Sequence, residues 1–172
     1  MFENCTSLTA APSLPAIALT QSCYSQMFSN CTSLATAPAL PATTLAPYCY
    51  YQMFIECTSL TTAPVLPAKT LVEGCYYNMF SVCTSLNFVK CLATDVSAND
   101  CTAYWLSFVP STGTFVKASS MINWSKDASG IPEGWTIQND EESSTSNFSN
   151  DGLTYIVDTP SCLLYTSDAA DE

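Results

Sequence analysis

The sequence predicts an α/β repeat solenoid, with a short parallel strand and one helix in each 26-residue unit and a small β-rich cap after the last unit. Two observations predict this fold class. The pair Met-Phe recurs every 26 residues, beginning at Met1, Met27, Met53 and Met79, and each occurrence leads into Cys-Thr-Ser-Leu. Within each unit a proline-flanked stretch is followed by an apolar stripe with helical spacing. Self-similarity at a period of about 20 to 50 residues is typical of solenoids.

The strand of each unit is predicted around the motif Ala-Pro-x-Leu-Pro-Ala. In the third unit it covers residues 59–66. Proline has no N–H to donate to a sheet ladder. We therefore expect the strand to be short or broken at Pro12, Pro38 and Pro64.

The helix of the third unit is predicted over residues 67–80. Pro67 suits a first helical turn, where its missing N–H would have no partner. Leu71, Cys75 and Met79 follow at i, i+4 and i+8, which favours one buried stripe along about three helical turns.

Columns of equivalent residues separate the interior from the surface. Columns that do not change between units are predicted to form the core: Leu8, Leu34, Leu60, Leu86, Leu14, Leu40, Leu66, Leu92, Phe2, Phe28, Phe54 and Phe80. Columns that drift are predicted to face solvent, and they include Cys91. The candidate binding surface consists of these drifting positions: Thr9, Ala10, Ser13, Ala35, Thr36, Ala39, Thr61, Thr62, Val65, Asn87 and Phe88.

The repeat fades towards the C-terminus. A fourth, altered unit ends at Trp105, so the four-unit solenoid is predicted over residues 1–105. Residues 106–138 are predicted to form a cap with β-hairpin-like strands, because a repeat array needs an end unit to cover its last core face. Its large aromatic side chains are the expected cover: Trp105, Phe108, Phe115, Trp124 and Trp135.

Two further segments follow the predicted cap. The acidic, serine-rich stretch 139–161 is interpreted as a linker, in which the run Asp140 to Glu142 is solvated and residues 154–157 begin another strand. Residues 162–172 look like a translated sequencing adapter and are excluded from the fold; a genuine polar tail is the alternative. The chain is expected to be a fragment that lacks the secretion signal and anchor of a longer protein.

Composition excludes several function classes. The chain has 15 acidic residues against four lysines, no arginine and no histidine, for a formal net charge of −11. Nucleic acid is a poor partner, because its binding depends on basic side chains. No apolar run approaches the roughly 20 residues of a membrane-spanning helix, so no membrane insertion is expected. We expect a monomer.

The ten cysteines are interpreted as small buried hydrophobes. Eight form two repeat columns, Cys91 is extra, and Cys162 lies in the suspected adapter. Disulfides within a column are the alternative, although stacked side chains that point the same way would strain such bonds. A metal site is not expected, because there is no C-x-x-C pair and no histidine.

No enzymatic site is expected. A nucleophile–histidine–acid arrangement cannot form without histidine, and no glycine-rich phosphate loop is present. No catalytic residue, cofactor or metal is therefore predicted. The pairs Tyr50/Tyr51 and Tyr76/Tyr77 are interpreted as one packed and one surface tyrosine each; a sugar- or protein-binding stripe is the alternative.

The Met-Phe-x-x-Cys-Thr-Ser-Leu core, joined to Leu-Pro-Ala, resembles the BspA-like leucine-rich-repeat proteins of anaerobic and gut bacteria over about residues 1–105. The resemblance implies a leucine-rich-repeat-like fold. It also implies a secreted or cell-surface location and adhesion to a host or bacterial surface protein or glycan. The Ala-Pro pair departs from the family, whose strand usually has β-branched residues there. The alternative function is a structural spacer or a phage tail component with no ligand of its own.

Overall fold

The computed structural model describes residues 2–141, and it contains no helix in that range. Three short strands are present: β1 (Phe88–Cys91), β2 (Thr114–Lys117) and β3 (Thr136–Asn139). They form one parallel sheet in the order β1-β2-β3. The prediction of an α/β solenoid with one helix per unit is therefore wrong.

Consecutive turns occupy the place of the predicted helix. They run over residues 21–30, 47–56, 73–82 and 99–108, and we call these four stacked segments the turn wall. Every fourth residue of the wall has a left-handed backbone. In the third segment these residues are Gly74, Asn78 and Val82, with φ of 56°, 51° and 63°. A right-handed helix cannot continue through such residues, so the chain turns at each of them.

Hydrogen bonding in the turn wall alternates along the chain. The Tyr77 N–H donates to the Gly74 carbonyl within its own turn, whereas the Asn78 N–H donates to the Ala103 carbonyl of the next unit, at 2.9 Å. The same alternation continues through the segment. Half of the donors close turns and half join neighbouring units, which satisfies a backbone that a helix would have satisfied internally.

The period of burial explains why the helix prediction failed. Leu71, Cys75, Met79 and Cys83 are all buried at a spacing of four residues. On a helix of about 3.6 residues per turn, such a row would drift around the axis. In four-residue turns it stays on one side. A window of three positions cannot distinguish these two periods.

The proline columns explain where strands form. In the repeats that contain Pro12, Pro38 and Pro64, the described chain has only isolated parallel bridges, such as Ala10 to Thr36. The same column holds Lys90 and then Val116, which have an N–H to donate, and there β1 and β2 form. The expectation of short or broken strands at the prolines is confirmed.

The core is a set of stacked columns. The rings of Phe2, Phe28, Phe54 and Phe80 stack with centroid separations of 5.6, 5.5 and 5.6 Å. Of the predicted core residues, Phe2, Leu8 and Leu92 are only half-buried and the others are buried. Stacking identical side chains therefore buries the apolar face that a single unit would expose.

The solenoid continues beyond Trp105. Thr114 pairs with Phe88 at a 26-residue offset, and Thr136 pairs with Thr114 after a shorter interval. Because both pairings are parallel, β2 and β3 extend the existing ladder and do not form the hairpin predicted for 106–138. Residues up to Asp140 belong to one compact unit, without a boundary at 105.

Aromatic side chains close the core after the fourth unit. Trp105, Phe115, Trp124 and Trp135 are buried, and Trp105 stacks on Trp124 with centroids 5.5 Å apart. The Trp105 Nε1–H donates to the Gly130 carbonyl at 2.7 Å. The prediction for Phe108 is wrong: its side chain is 80% exposed.

The predicted linker begins later than its sequence suggests. Asn139 is the exposed last residue of β3, and the Asp140 carboxylate forms a 2.6 Å ion pair with the Lys90 ammonium, so both residues belong to the folded unit. Glu141 is exposed. The rest of the linker, the strand at 154–157 and the adapter interpretation of 162–172 lie outside the described residues.

Candidate binding surfaces

The predicted binding columns lie together on the strand side of the repeat unit. Ten of the eleven residues are exposed, and Phe88 is half-buried. Bridges between Ala10 and Thr36 and between Thr62 and Phe88 place equivalent positions side by side. The exposed groups are mainly hydroxyls and methyls, which can hydrogen-bond or pack against a partner but carry no charge.

Cys91 departs from the predicted surface because the register slips by one residue. Cys91 pairs with Leu66 and Asp95 pairs with Thr70, each at an offset of 25 instead of 26. A one-residue slip moves a side chain to the opposite face. Cys91 therefore takes the buried position of the Leu66 column, and Leu92, which was predicted to be core, is half-buried.

A shallow groove borders the strand side. It has a volume of about 420 Å³. Its lining combines threonine hydroxyls, apolar side chains and one lysine: Thr43, Thr44, Leu45, Pro67, Lys69, Thr70 and Val72. The sequence gives no signal for this groove, because it forms between two units and no single motif encodes it.

The tyrosine pairs divide as predicted. Tyr50 and Tyr76 are each 1% exposed and stack on each other, whereas Tyr51 and Tyr77 are partly exposed. The prediction of one packed and one surface tyrosine in each pair is confirmed. The outer rings also contact each other, with centroids 5.3 Å apart.

Two further tyrosines extend this exposed row. Tyr48 meets Tyr51 edge-on with centroids 6.1 Å apart, and Tyr104 meets Tyr77 edge-on at the same separation. We call Tyr48, Tyr51, Tyr77 and Tyr104 the tyrosine patch. Tyr48 and Tyr104 were not among the residues predicted from the sequence. A four-residue burial period would have placed both on the outer side of the turn wall.

Amide and carboxylate side chains of the turn wall form hydrogen bonds across neighbouring units. Gln26 donates to Gln52 at 2.9 Å across neighbouring units. The Tyr48 hydroxyl donates to Glu73 Oε1 at 2.7 Å. That hydrogen bond raises the pKa of Tyr48, and the nearby negative charges of Glu73 and Asp100 act in the same direction.

The nine described cysteines are free thiols. Seven are buried, as interpreted, but Cys5 and Cys23 are exposed. The Cys31, Cys57 and Cys83 thiols each donate to a phenylalanine carbonyl of the preceding unit, at 3.0 to 3.1 Å. Burial raises the pKa of Cys57 to about 12, so this thiol is protonated and unreactive at neutral pH.

Comparisons of the chain with known proteins found no match. No protein-family model, no curated protein and no solved structure matches the chain. Between residues 2 and 141, no cluster of three or more potential metal-ligating side chains occurs. The same stretch has no helix that could span a membrane.

Proposed function

We propose that this chain is a non-enzymatic binding segment of a secreted or surface-attached bacterial protein. In this proposal the repeats recognise a protein or glycan partner through columns that vary between units. The supporting observation is the division between the columns. Leu34 and Leu60 belong to an unchanging column and are fully buried, whereas the neighbouring Ala35 and Thr61 vary and are exposed. A rigid stack that presents variable side chains is the arrangement that repeat proteins use to bind partners.

A binding screen tests this proposal. The full chain is immobilised and screened against extracellular-matrix proteins and a glycan array, and at least one specific interaction is expected. Silence in both screens would contradict the proposal and favour a spacer that only sets distance.

A charge variant then tests the strand side as the face. Replacing both Thr61→Lys and Thr62→Lys adds bulk and positive charge to exposed positions, so binding of a partner at these columns should be lost without unfolding. The matched control is Ser129→Lys, which adds a charge at an exposed site away from the columns. Unchanged binding by the double variant would remove the strand side as the recognition face.

A further inference from the structure

The tyrosine patch is a continuous aromatic surface on the turn wall. Tyr48, Tyr51, Tyr77 and Tyr104 contact one another in sequence, with centroid separations of 6.1, 5.3 and 6.1 Å. The two outer contacts are edge-to-face and the central one is stacked. Tyr104 at one end is 50% exposed. Tyr48, Tyr51 and Tyr77 are partly exposed.

The backbone conformation at the ends of this row does not require an aromatic residue. Tyr48 and Tyr104 each have φ of 55°, in the left-handed region. The equivalent positions of neighbouring units hold Gly74 in the Tyr48 column and Asn78 in the Tyr104 column, residues that adopt this conformation easily. A bulky residue there adds backbone strain and contributes no buried core side chain.

The electrostatic surroundings of the patch are negative. The Glu73 carboxylate accepts a 2.7 Å hydrogen bond from the Tyr48 hydroxyl, and the nearby charge of Asp100 also raises the pKa of Tyr48. None of the four lysines falls within the four turn-wall segments. Lys126, on the rung that follows, donates to the Glu133 carbonyl at 2.9 Å.

Exposed aromatic rings beside carboxylates attract cations. Arginine and lysine side chains are held over the face of an aromatic ring by its quadrupole, and neighbouring carboxylates add charge complementarity. We propose that the tyrosine patch binds a polypeptide segment that carries arginine or lysine side chains. This inference rests on the proposed function, since it takes the chain as a binding segment, and it adds a second face and a class of partner.

A pair of matched peptides tests the charge requirement. The probe is a fluorescently labelled peptide of repeated Gly-Ser-Arg, compared by anisotropy with the same peptide in which citrulline replaces arginine. The full chain is used at low salt, where surface charges are least screened. We expect the arginine peptide to bind about tenfold or more tightly than its citrulline counterpart. Equal affinity for the two peptides would overturn the inference.

Protein variants test the location. Tyr77→Leu, and the gentler pair Glu73→Gln with Asp100→Asn, should each weaken arginine-peptide binding by about tenfold. Thr61→Ala with Thr62→Ala alters the strand side only and should leave peptide binding unchanged. Unaltered affinity in the charge-neutralised pair, which preserves shape, would also overturn the inference, even if Tyr77→Leu fails to fold.

The two proposals fail in different ways. If the arginine peptide does not bind but the screen finds a glycan or another protein, the tyrosine-patch inference is wrong and the binding function stands. If neither the peptide nor any member of the screen binds, both are wrong. A glycan whose binding is lost in Tyr77→Leu would reassign the patch to carbohydrate and reject the cationic partner.

Discussion

At the residue scale, two buried polar atoms of the described residues lack a hydrogen-bond partner: the Tyr50 hydroxyl and the Trp124 Nε1–H. Tyr50 is 1% exposed, and its hydroxyl has no hydrogen-bond partner among the described residues. Burying a polar group without a partner costs about 1–3 kcal/mol. The Tyr50 ring, by contrast, is well packed, because it stacks between the rings of Tyr24 and Tyr76.

We therefore predict that Tyr50→Phe keeps the stack and raises the free energy of unfolding by about 1 kcal/mol. Urea denaturation followed by tryptophan fluorescence measures the change. Tyr24→Phe, in the same column but only half-buried, is the control and should be close to neutral. A loss of stability in Tyr50→Phe would mean that the hydroxyl is satisfied by water.

The left-handed backbone of Val82 is a second local feature that lowers stability. Its φ of 63° is unusual for a β-branched residue, whereas Asn30, in the same column, tolerates its φ of 55°. Val82→Asn is expected to stabilise the chain by about 1 kcal/mol, because a left-handed backbone costs an ordinary residue about that much. Chemical denaturation is the readout. The opposite test is Gly74→Ala, whose added Cβ would collide with the Tyr48 ring and should destabilise the chain.

The sequence predicts the buried interior of the repeat unit well, but it does not predict the backbone conformation of the unit. Unchanging columns identify buried side chains such as Phe54 and Leu60, because stacking requires the same shape in each unit. The backbone depends on left-handed residues. Gly74 and Asn78 are ordinary turn formers, but Glu56 and Val82 give no such signal in their residue type. The tyrosine patch was half predicted for the same reason: Tyr51 and Tyr77 stand out as repeated pairs, and Tyr48 and Tyr104 do not.

At the element scale, truncating a side chain of the buried leucine column is expected to cause a large loss of stability. Leu60 is fully buried, so Leu60→Ala should lower the free energy of unfolding by about 2–5 kcal/mol through lost apolar burial and a cavity. Thr61→Ala, on the adjacent exposed position, should change it by less than about 0.5 kcal/mol. Comparable losses in both variants, measured by urea denaturation, would contradict the division of the unit into inner and outer faces.

At the scale of the whole molecule, many buried thiols stay protonated in the folded chain. The stability of the chain therefore depends on pH in the alkaline range. Burial raises the pKa of Cys49, Cys57 and Cys91 to about 12, from a value of 9.0 in the absence of burial. Below pH 9 both the folded and unfolded chains hold these protons. Above pH 9 the unfolded chain releases the cysteine protons readily, whereas the folded chain keeps them. The free energy of unfolding therefore falls as pH rises from about 9 towards about 12.

We expect a decline of up to about 1.4 kcal/mol per pH unit for each such cysteine in that window. Denaturation midpoints measured between neutral pH and pH 11 would show it. Replacing Cys57 with alanine should reduce the slope, whereas replacing the exposed Cys23 should not. A flat profile across the window would show that the thiols are less buried than their positions indicate.

The alternating bonds of the turn wall also give this side of the solenoid a net dipole. The Tyr24 N–H donates to the Cys49 carbonyl, the Tyr50 N–H donates to Cys75, and the Tyr76 N–H donates to Cys101. Because Cys49 and Tyr50 share one peptide group, as do Cys75 and Tyr76, these bonds form a continuous chain of aligned dipoles. Parallel chains run beside it through the other turns. Such alignment gives a helix its macrodipole, and here it is produced between units. Each added repeat lengthens the dipole, with its positive pole towards the later units.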